Sequence, residues 1–153
     1  MVLSWWGGLS SSPAPVMHSG ATTTATVTAV IDGDTIDVQF GTTTARVRYI
    51  GIDTPEPYRD EEPACFSTEA SAANRQLVAG KQVTLVADQE DTDKYDRLLR
   101  YVYVDEVMVN AELVRGGYAT TLPIKPNTTH ASEFLALQQA AKQAGLGLWG
   151  SCQ

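Results

Sequence analysis

The sequence predicts an α+β domain in which five short strands curl into a small barrel and three α-helices pack around it. Three observations predict this class. Apolar and polar residues alternate in several short runs, glycine-bearing turns separate those runs, and an Ala- and Gln-rich stretch with helical spacing follows them. The first strand runs from Thr24 through Val27, Val30 and Ile31 into Asp32-Gly33-Asp34-Thr35, after which Ile36, Val38 and Phe40 alternate with polar neighbours as in a β-hairpin. Gly41 makes the next turn. Thr44 to Ile52 reads as the third strand, with Ala45, Val47 and Tyr49 on one face and Arg46, Arg48 and Ile50 on the other. Asp53 to Ala64, rich in proline and acid, is a loop by composition. Ser67 is placed as the N-cap of a first helix that carries Glu69 in its first turn and ends near Ala79, before Gly80. Val83, Leu85 and Ala87 mark a fourth strand and Arg97 to Val104 a fifth. Met108 to Arg115 reads as a short amphipathic helix closed by Gly116-Gly117, and Thr129 or Asn127 is expected to cap a last helix through Ala144. The order β-β-β-α-β-β-α-α matches the five-stranded OB-fold β-barrel, a fold that by itself assigns no function.

Bulk properties bound the function only loosely. A chain of 153 residues that is 43% apolar fits one domain with one modest core. Residues 1–23 read as a flexible leader rich in Ser, Thr, Pro and Gly, downstream of a removed signal or anchor, with the domain over 24–153. No apolar run is long enough to span a bilayer. The net charge of -7 and pI near 4.7 argue against a broad, charge-driven grip on polyanions, so any contact with nucleic acid has to be local. Two cysteines, Cys65 and Cys152, are read as a disulfide tying the tail to the domain in an oxidising compartment, against the alternative of two unpaired thiols.

The chemistry-bearing residues cluster in three segments. Asp32-Gly33-Asp34-Thr35 and Asp53-Thr54-Pro55-Glu56 each carry two carboxylates, and if the first three strands are antiparallel neighbours Asp34 and Asp53 converge at one end of the sheet. Such a cluster suits a hard cation. Each motif alone is commonly just a turn; the conjunction is what points to chemistry. Arg48, on the same third strand, and Arg97, within Asp93-Lys94-Tyr95-Asp96-Arg97, supply two guanidinium groups. A cation, two guanidinium groups and a carboxylate to activate water form the set that phosphodiester hydrolysis requires.

These residues resemble a known family. Val30-Ile31-Asp32-Gly33-Asp34-Thr35, Arg48 to Glu56, Asp93 to Tyr103, Val109 to Arg115 and the closing Gly147-Leu148-Trp149 look like the staphylococcal nuclease (thermonuclease) family, in its order and at its spacing. The resemblance spans Thr24 to Trp149. It implies a calcium-dependent nuclease acting on DNA and RNA and leaving 3′-phosphate products. Calcium is then held by Asp34, Asp53 and the backbone carbonyl of Thr54, Glu56 acts on the attacking water, and Arg48 and Arg97 bind the scissile phosphate. Lys94 and Tyr95 match the site of the nucleotide's terminal phosphate, and Asp32 an acidic residue behind the metal. A secreted or cell-surface monomer is the corresponding expectation.

The chain departs from the family pattern in three places. Thr121, Leu122, Pro123 and Ile124 stand where family members often place tyrosines, in a loop one residue shorter. Asp96 and Leu98 flank Arg97 where glycines are usual, and the pI is acidic. His18 and His130 read as bystander or capping residues, Trp149 as packing, and Asn127-Thr128-Thr129 as a glycosylation pattern relevant only to a eukaryotic secretory pathway. The rival reading is a noncatalytic OB-fold module that binds nucleic acid or protein; such a module would be expected to have lost several of the acidic and arginine positions, all of which are present.

Overall fold

The computed structural model describes residues 20–57 and 62–152, so residues 1–19 of the leader expected over 1–23, including His18, lie outside the described residues. Eight strands and four helices follow in the order β1 (Thr22–Asp32), β2 (Thr35–Phe40), β3 (Thr43–Tyr49), β4 (Ile52–Asp53), α1 (Ser67–Val78), β5 (Gln82–Val86), β6 (Leu98–Val104), β7 (Val107–Met108), α2 (Val109–Arg115), β8 (Thr120–Thr121), α3 (Ala131–Ala144) and α4 (Leu148–Ser151). The main sheet has the order β3-β2-β1-β5-β6-β7, and a parallel pairing of β3 with β6 closes it into a five-stranded mixed barrel. The long β1 makes closure possible. Its first half pairs with β5 and its second half with β2, and register shifts between Val27 and Ala29 and between Val30 and Asp32 bend it from one neighbour to the other.

The barrel interior is filled by the inward residues of the alternating runs, among them Val27, Ile36, Val38, Val47, Leu85 and Val102. The first helix adds Ala70, Ala73 and Val78, the second Val109, Leu113 and Val114, and the third inserts Phe134 and Ala141. Strand β1 starts at Thr22 rather than Thr24, because Thr22 and Thr23 continue the ladder against Val86 and Leu85.

Three expectations about local structure are corrected. The third strand ends at Tyr49 and not at Ile52. Gly51 takes φ 79, and a Cβ there would lie 2.8 Å from the Phe134 ring, so the chain breaks and resumes as β4 against β8. Ser67 is the first helical residue and not the cap: Phe66 occupies the cap position, and the Ser67 N–H donates to the Ala64 carbonyl at 3.0 Å. Neither Asn127 nor Thr129 caps α3, whose preceding residue is His130. The Asn127 side chain instead accepts from the backbone N–H groups of Gln89 and Glu90, and the Thr129 hydroxyl donates to Asp88. Because the Asn127 amide also donates to the Glu90 carbonyl and the residue is only 5% exposed, its nitrogen is not available to a glycan in the folded protein.

A fourth, four-residue helix, α4, follows the three expected, and it carries Trp149, whose ring lies under the Lys142 ammonium of α3 at 4.6 Å. Cys65 and Cys152 are bonded across a sequence separation of 87. Closing so long a loop contributes about 4–5 kcal/mol through the unfolded chain. The double substitution Cys65→Ser with Cys152→Ser is therefore expected to lower the unfolding free energy by roughly that amount in urea titrations. Identical midpoints for oxidised and reduced wild type would contradict it.

Candidate active site

The site begins with a buried carboxylate. Asp34, at the tip of the β1–β2 hairpin, is 4% exposed. Its Oδ1 accepts from the Thr35 hydroxyl at 3.0 Å, and its Oδ2 accepts from the Thr54 N–H at 2.9 Å and the Thr54 hydroxyl at 3.1 Å. Thr54 comes so close that a Cβ on Gly33 would sit 2.5 Å from its Oγ1. The glycine of the turn is thus needed for close approach, since its φ is not in the left-handed region. Asp32 sits behind, accepting from the Asp34 N–H at 3.1 Å. Burial, and next the neighbouring Asp34 charge, push the Asp32 carboxyl up to about 6.

Arg48 joins this acidic turn to the strand break. Its Nη1 donates to the carbonyls of Tyr49 and Ile52 at 2.8 and 2.9 Å, bridging the gap between β3 and β4. Its Nη2 lies 3.3 Å from both Asp34 Oδ2 and Asp53 Oδ1. The two carboxylates expected to converge are therefore brought together around one guanidinium nitrogen.

The second arginine is carried by the loop between β5 and β6. Asp93 accepts from the N–H groups of Tyr95 and Arg97 and from Arg97 Nε at 2.7 Å. Burial alone would raise the Asp93 carboxyl, but the Arg97 N–H, the Arg97 guanidinium and the Tyr95 N–H outweigh it and hold the group below the ordinary carboxylate range. Asp96 completes the turn at φ 61, a conformation that Asp tolerates better than most residues. The exposed Tyr95 ring lies beneath both the Lys94 ammonium and the Arg97 guanidinium, at 5.1 and 5.4 Å.

Arg48, Lys94, Tyr95 and Arg97 line one cleft of about 410 Å³, whose outer wall includes Leu122 and Ile124. Asp53, Thr54 and the exposed Glu56 line a neighbouring cavity of about 260 Å³ with Cys65 and Cys152. The chain thus bonds Asp34 to Thr54 and bridges Asp34 and Asp53 through Arg48, places Arg48 with Arg97, Lys94 and Tyr95 in one cleft, and Glu56 with Asp53 in the next. Among the described residues no three His, Cys, Asp or Glu side chains converge as a complete metal cage. Two carboxylates with oxygen donors nearby fit a hard divalent cation that keeps water ligands, since Asp34 Oδ1 accepts only the Thr35 hydroxyl and keeps a lone pair while its Oδ2 is taken up by Thr54 and Arg48.

Sequence reasoning missed the residues that hold this arrangement. Asn74 of α1 accepts from the Tyr49 hydroxyl at 2.6 Å and donates to the Asp32 carbonyl at 2.8 Å, fixing the acidic turn. Arg100, 1% exposed, pairs with Asp91 at 2.7 Å and anchors the loop that carries Arg97. Only their position on otherwise apolar faces marks Asn74 and Arg100 in the sequence. Leu122 and Ile124 were noted there for what they replace and prove to be exposed walls of the cleft.

A closed five-stranded barrel with two guanidinium groups on one cleft and an acidic turn beside it defines an OB-fold domain with a candidate oxyanion site. A family model described as "Staphylococcal nuclease homologue" matches residues 46–151. The chain is 38% identical over 129 residues to the SPbeta prophage-derived endonuclease YokF of Bacillus subtilis, covering 81% of this chain and 43% of that protein. It is 40% identical over 121 residues to an uncharacterized protein of Bacillus anthracis, covering 77% and 56%. To the thermonuclease of Staphylococcus intermedius it is 34% identical over 124 residues, covering 80% and 74%. The chain spans about half the length of the two Bacillus relatives. It belongs to the staphylococcal nuclease family.

The lowered Asp93 carboxyl contributes stability above its unfolded-state pKa of 3.8, and that contribution is lost as pH falls through the folded value. The stability gap between wild type and Asp93→Asn is therefore expected to be full at neutral pH and to shrink below about pH 4. Thermal melts of both proteins from pH 7 to pH 2 check it, and a pH-independent gap would refute it.

Proposed function

We propose that the chain is a nuclease that hydrolyses phosphodiester bonds in DNA and RNA with calcium as cofactor. The observation that carries this reading is the shared cleft of Arg48 and Arg97 beside the paired carboxylates Asp34 and Asp53. Phosphodiester cleavage builds negative charge on phosphoryl oxygens, and preorganised guanidinium groups aimed at that charge stabilise its transition state. Asp34, Asp53 and the Thr54 carbonyl are the oxygen donors for calcium, which when bound supplies positive charge against the same developing charge. Glu56, exposed in the adjoining cavity, takes a proton from the attacking water. Water's oxygen bonds to phosphorus, the P–O5′ bond breaks with its electron pair passing to O5′, O5′ takes a proton from solvent while Glu56 returns its own to solvent, and the products are a 3′-phosphate and a 5′-hydroxyl. Arg97 holds the phosphate, Arg48 adds its positive charge beside it while its Nη groups stay on the protein's own carbonyls and carboxylates, and Lys94 and Tyr95 hold the nucleotide's terminal phosphate.

The disulfide supports a secreted or cell-surface setting, since such bonds persist under oxidising conditions. No helix among the described residues is long and apolar enough to cross a membrane. A monomer carries the whole proposed set of groups on one chain. A noncatalytic binding barrel would leave Glu56 and the acid-held arginines without a use.

Purified protein is expected to cleave single-stranded DNA and RNA with calcium and to stop when a chelator is added. Glu56→Gln and Arg97→Ala are each expected to lower the rate by about 10²-fold or more while both variants stay folded. Wild-type rates in either variant would remove that residue from the mechanism. Folded protein that cuts neither polymer in calcium would overturn the nuclease reading in favour of a binding module.

A further inference from the structure

A shallow groove of about 490 Å³ runs along α1, outside the cleft and cavity described above, and is lined by Phe66, Glu69, Arg75, Gln76 and Tyr118 among others. The Phe66 and Tyr118 rings stack there with centroids 5.6 Å apart and planes 26° from parallel. Several features hold this pair in place. Phe66 takes φ 72, a left-handed conformation that a bulky aromatic residue rarely adopts. The residue before it, Cys65, is bonded to Cys152. Tyr118 lies against Gly116, where a Cβ would sit 2.6 Å from its ring, and its N–H donates to the Leu113 carbonyl at 2.9 Å. Both rings are only partly covered.

The groove adjoins the candidate active site. Cys65, next to Phe66, lines the cavity that holds Asp53 and Glu56. Thr120, two residues after Tyr118, lines the same cavity and pairs with Asp53 in the β4–β8 ladder. A strand leaving Glu56 past the disulfide therefore meets the aromatic pair next.

We propose that this groove is a second substrate subsite, binding a single-stranded segment of the polynucleotide beyond the scissile phosphate. One unpaired base stacks on the Phe66–Tyr118 pair, and Arg75 takes a backbone phosphate. The proposal rests on the nuclease reading above. An aromatic platform accepts any base face, but only when the base is unpaired. Its use fits the charge of this chain: with a net charge of -7, summed phosphate contacts cannot hold a polymer, whereas stacking resists salt.

The test is binding of labelled dodecathymidylate and of a labelled dinucleotide, by fluorescence anisotropy in calcium on a Glu56→Gln background, with probe integrity checked on gels. Tyr118→Leu is expected to weaken the dodecamer by about five- to a hundredfold and to leave the dinucleotide unchanged. Arg75→Gln, an exposed helical change that spares the core, is expected to weaken the dodecamer alone and to lower its salt slope by about 0.7. Unchanged dodecamer binding in both variants overturns the subsite, as does a duplex dodecamer binding as tightly as the single strand. Equal losses for both probes in Tyr118→Leu also overturn it, because they assign the ring to supporting the cleft. The nuclease reading stands or falls separately, on cleavage by the wild type.

Discussion

The arrangement depends on a carboxylate that cannot be left alone. Asp34 is buried at a hairpin tip, where an unmatched charge would be costly, and it is matched from a segment 20 residues away by the Thr54 N–H and hydroxyl. That match fixes the hairpin against the β3–β4 break and sets Asp53 and Glu56 on a segment of defined position. It also explains Gly33, since any side chain there would push Thr54 away from the carboxylate. Arg48 then closes the arrangement electrostatically, serving both carboxylates and the two carbonyls that flank the strand break. Removing Asp34 would free Thr54 and leave Arg48 half-compensated, so its structural and chemical roles cannot be separated by simple truncation.

Behind this group, three buried amides do similar work where ladders stop. A side-chain amide offers both a donor and an acceptor, so one residue can satisfy two backbone groups that face each other across a gap. Asn110 accepts from Val102 N–H and donates to the Ile50 carbonyl, binding α2 to both strands that meet at the parallel pairing. Asn127 does this at the start of the Arg97 loop, while Asn74 ties the Asp32 carbonyl of the acidic turn to the Tyr49 hydroxyl. Asp88 adds a fourth tie, accepting from the Tyr101 and Thr129 hydroxyls. Site geometry is held by such supporting contacts, and here they come from α1, α2 and the segment that precedes α3.

The barrel strands were legible in the sequence because period-two alternation is a local property, and each run from Val27 to Phe40 and from Val83 to Val104 carries it. The short pairs β4, β7 and β8 were not, because two residues hold no period. The third strand was read too long for a related reason: Ile50 and Ile52 continue the apolar pattern, while the break depends on Phe134, more than eighty residues away, pressing on Gly51. The helix caps failed for two reasons: tertiary partners claimed Asn127 and Thr129, while the turn that binds the Ser67 N–H to the Ala64 carbonyl draws Ser67 into the helix and leaves Phe66 at the cap. Among the candidate site residues, the aspartates and arginines stood out through their paired spacing. Asn74, Asn110 and Arg100 did not, because a polar residue on a buried face reveals its partner only once the fold is closed.

The two arginines of the cleft are not equivalent. Arg48 spends Nη1 on two carbonyls and Nη2 on two carboxylates, so its fork is occupied by the protein itself. Asp93 engages Arg97 through Nε, and the Nη edge of Arg97 makes no hydrogen bond among the described residues. A bidentate guanidinium contact needs an open pair of N–H groups, so under the proposed function Arg97, rather than Arg48, offers the edge for an incoming phosphate. Asp93 costs part of the positive field but fixes the direction in which that edge points. With acidic partners beside both guanidinium groups and an acidic chain around them, capture cannot rest on bulk attraction. Under the proposed function it rests on an oriented fork, and that orientation comes from the Asp93 turn and from Arg100 anchored beside it.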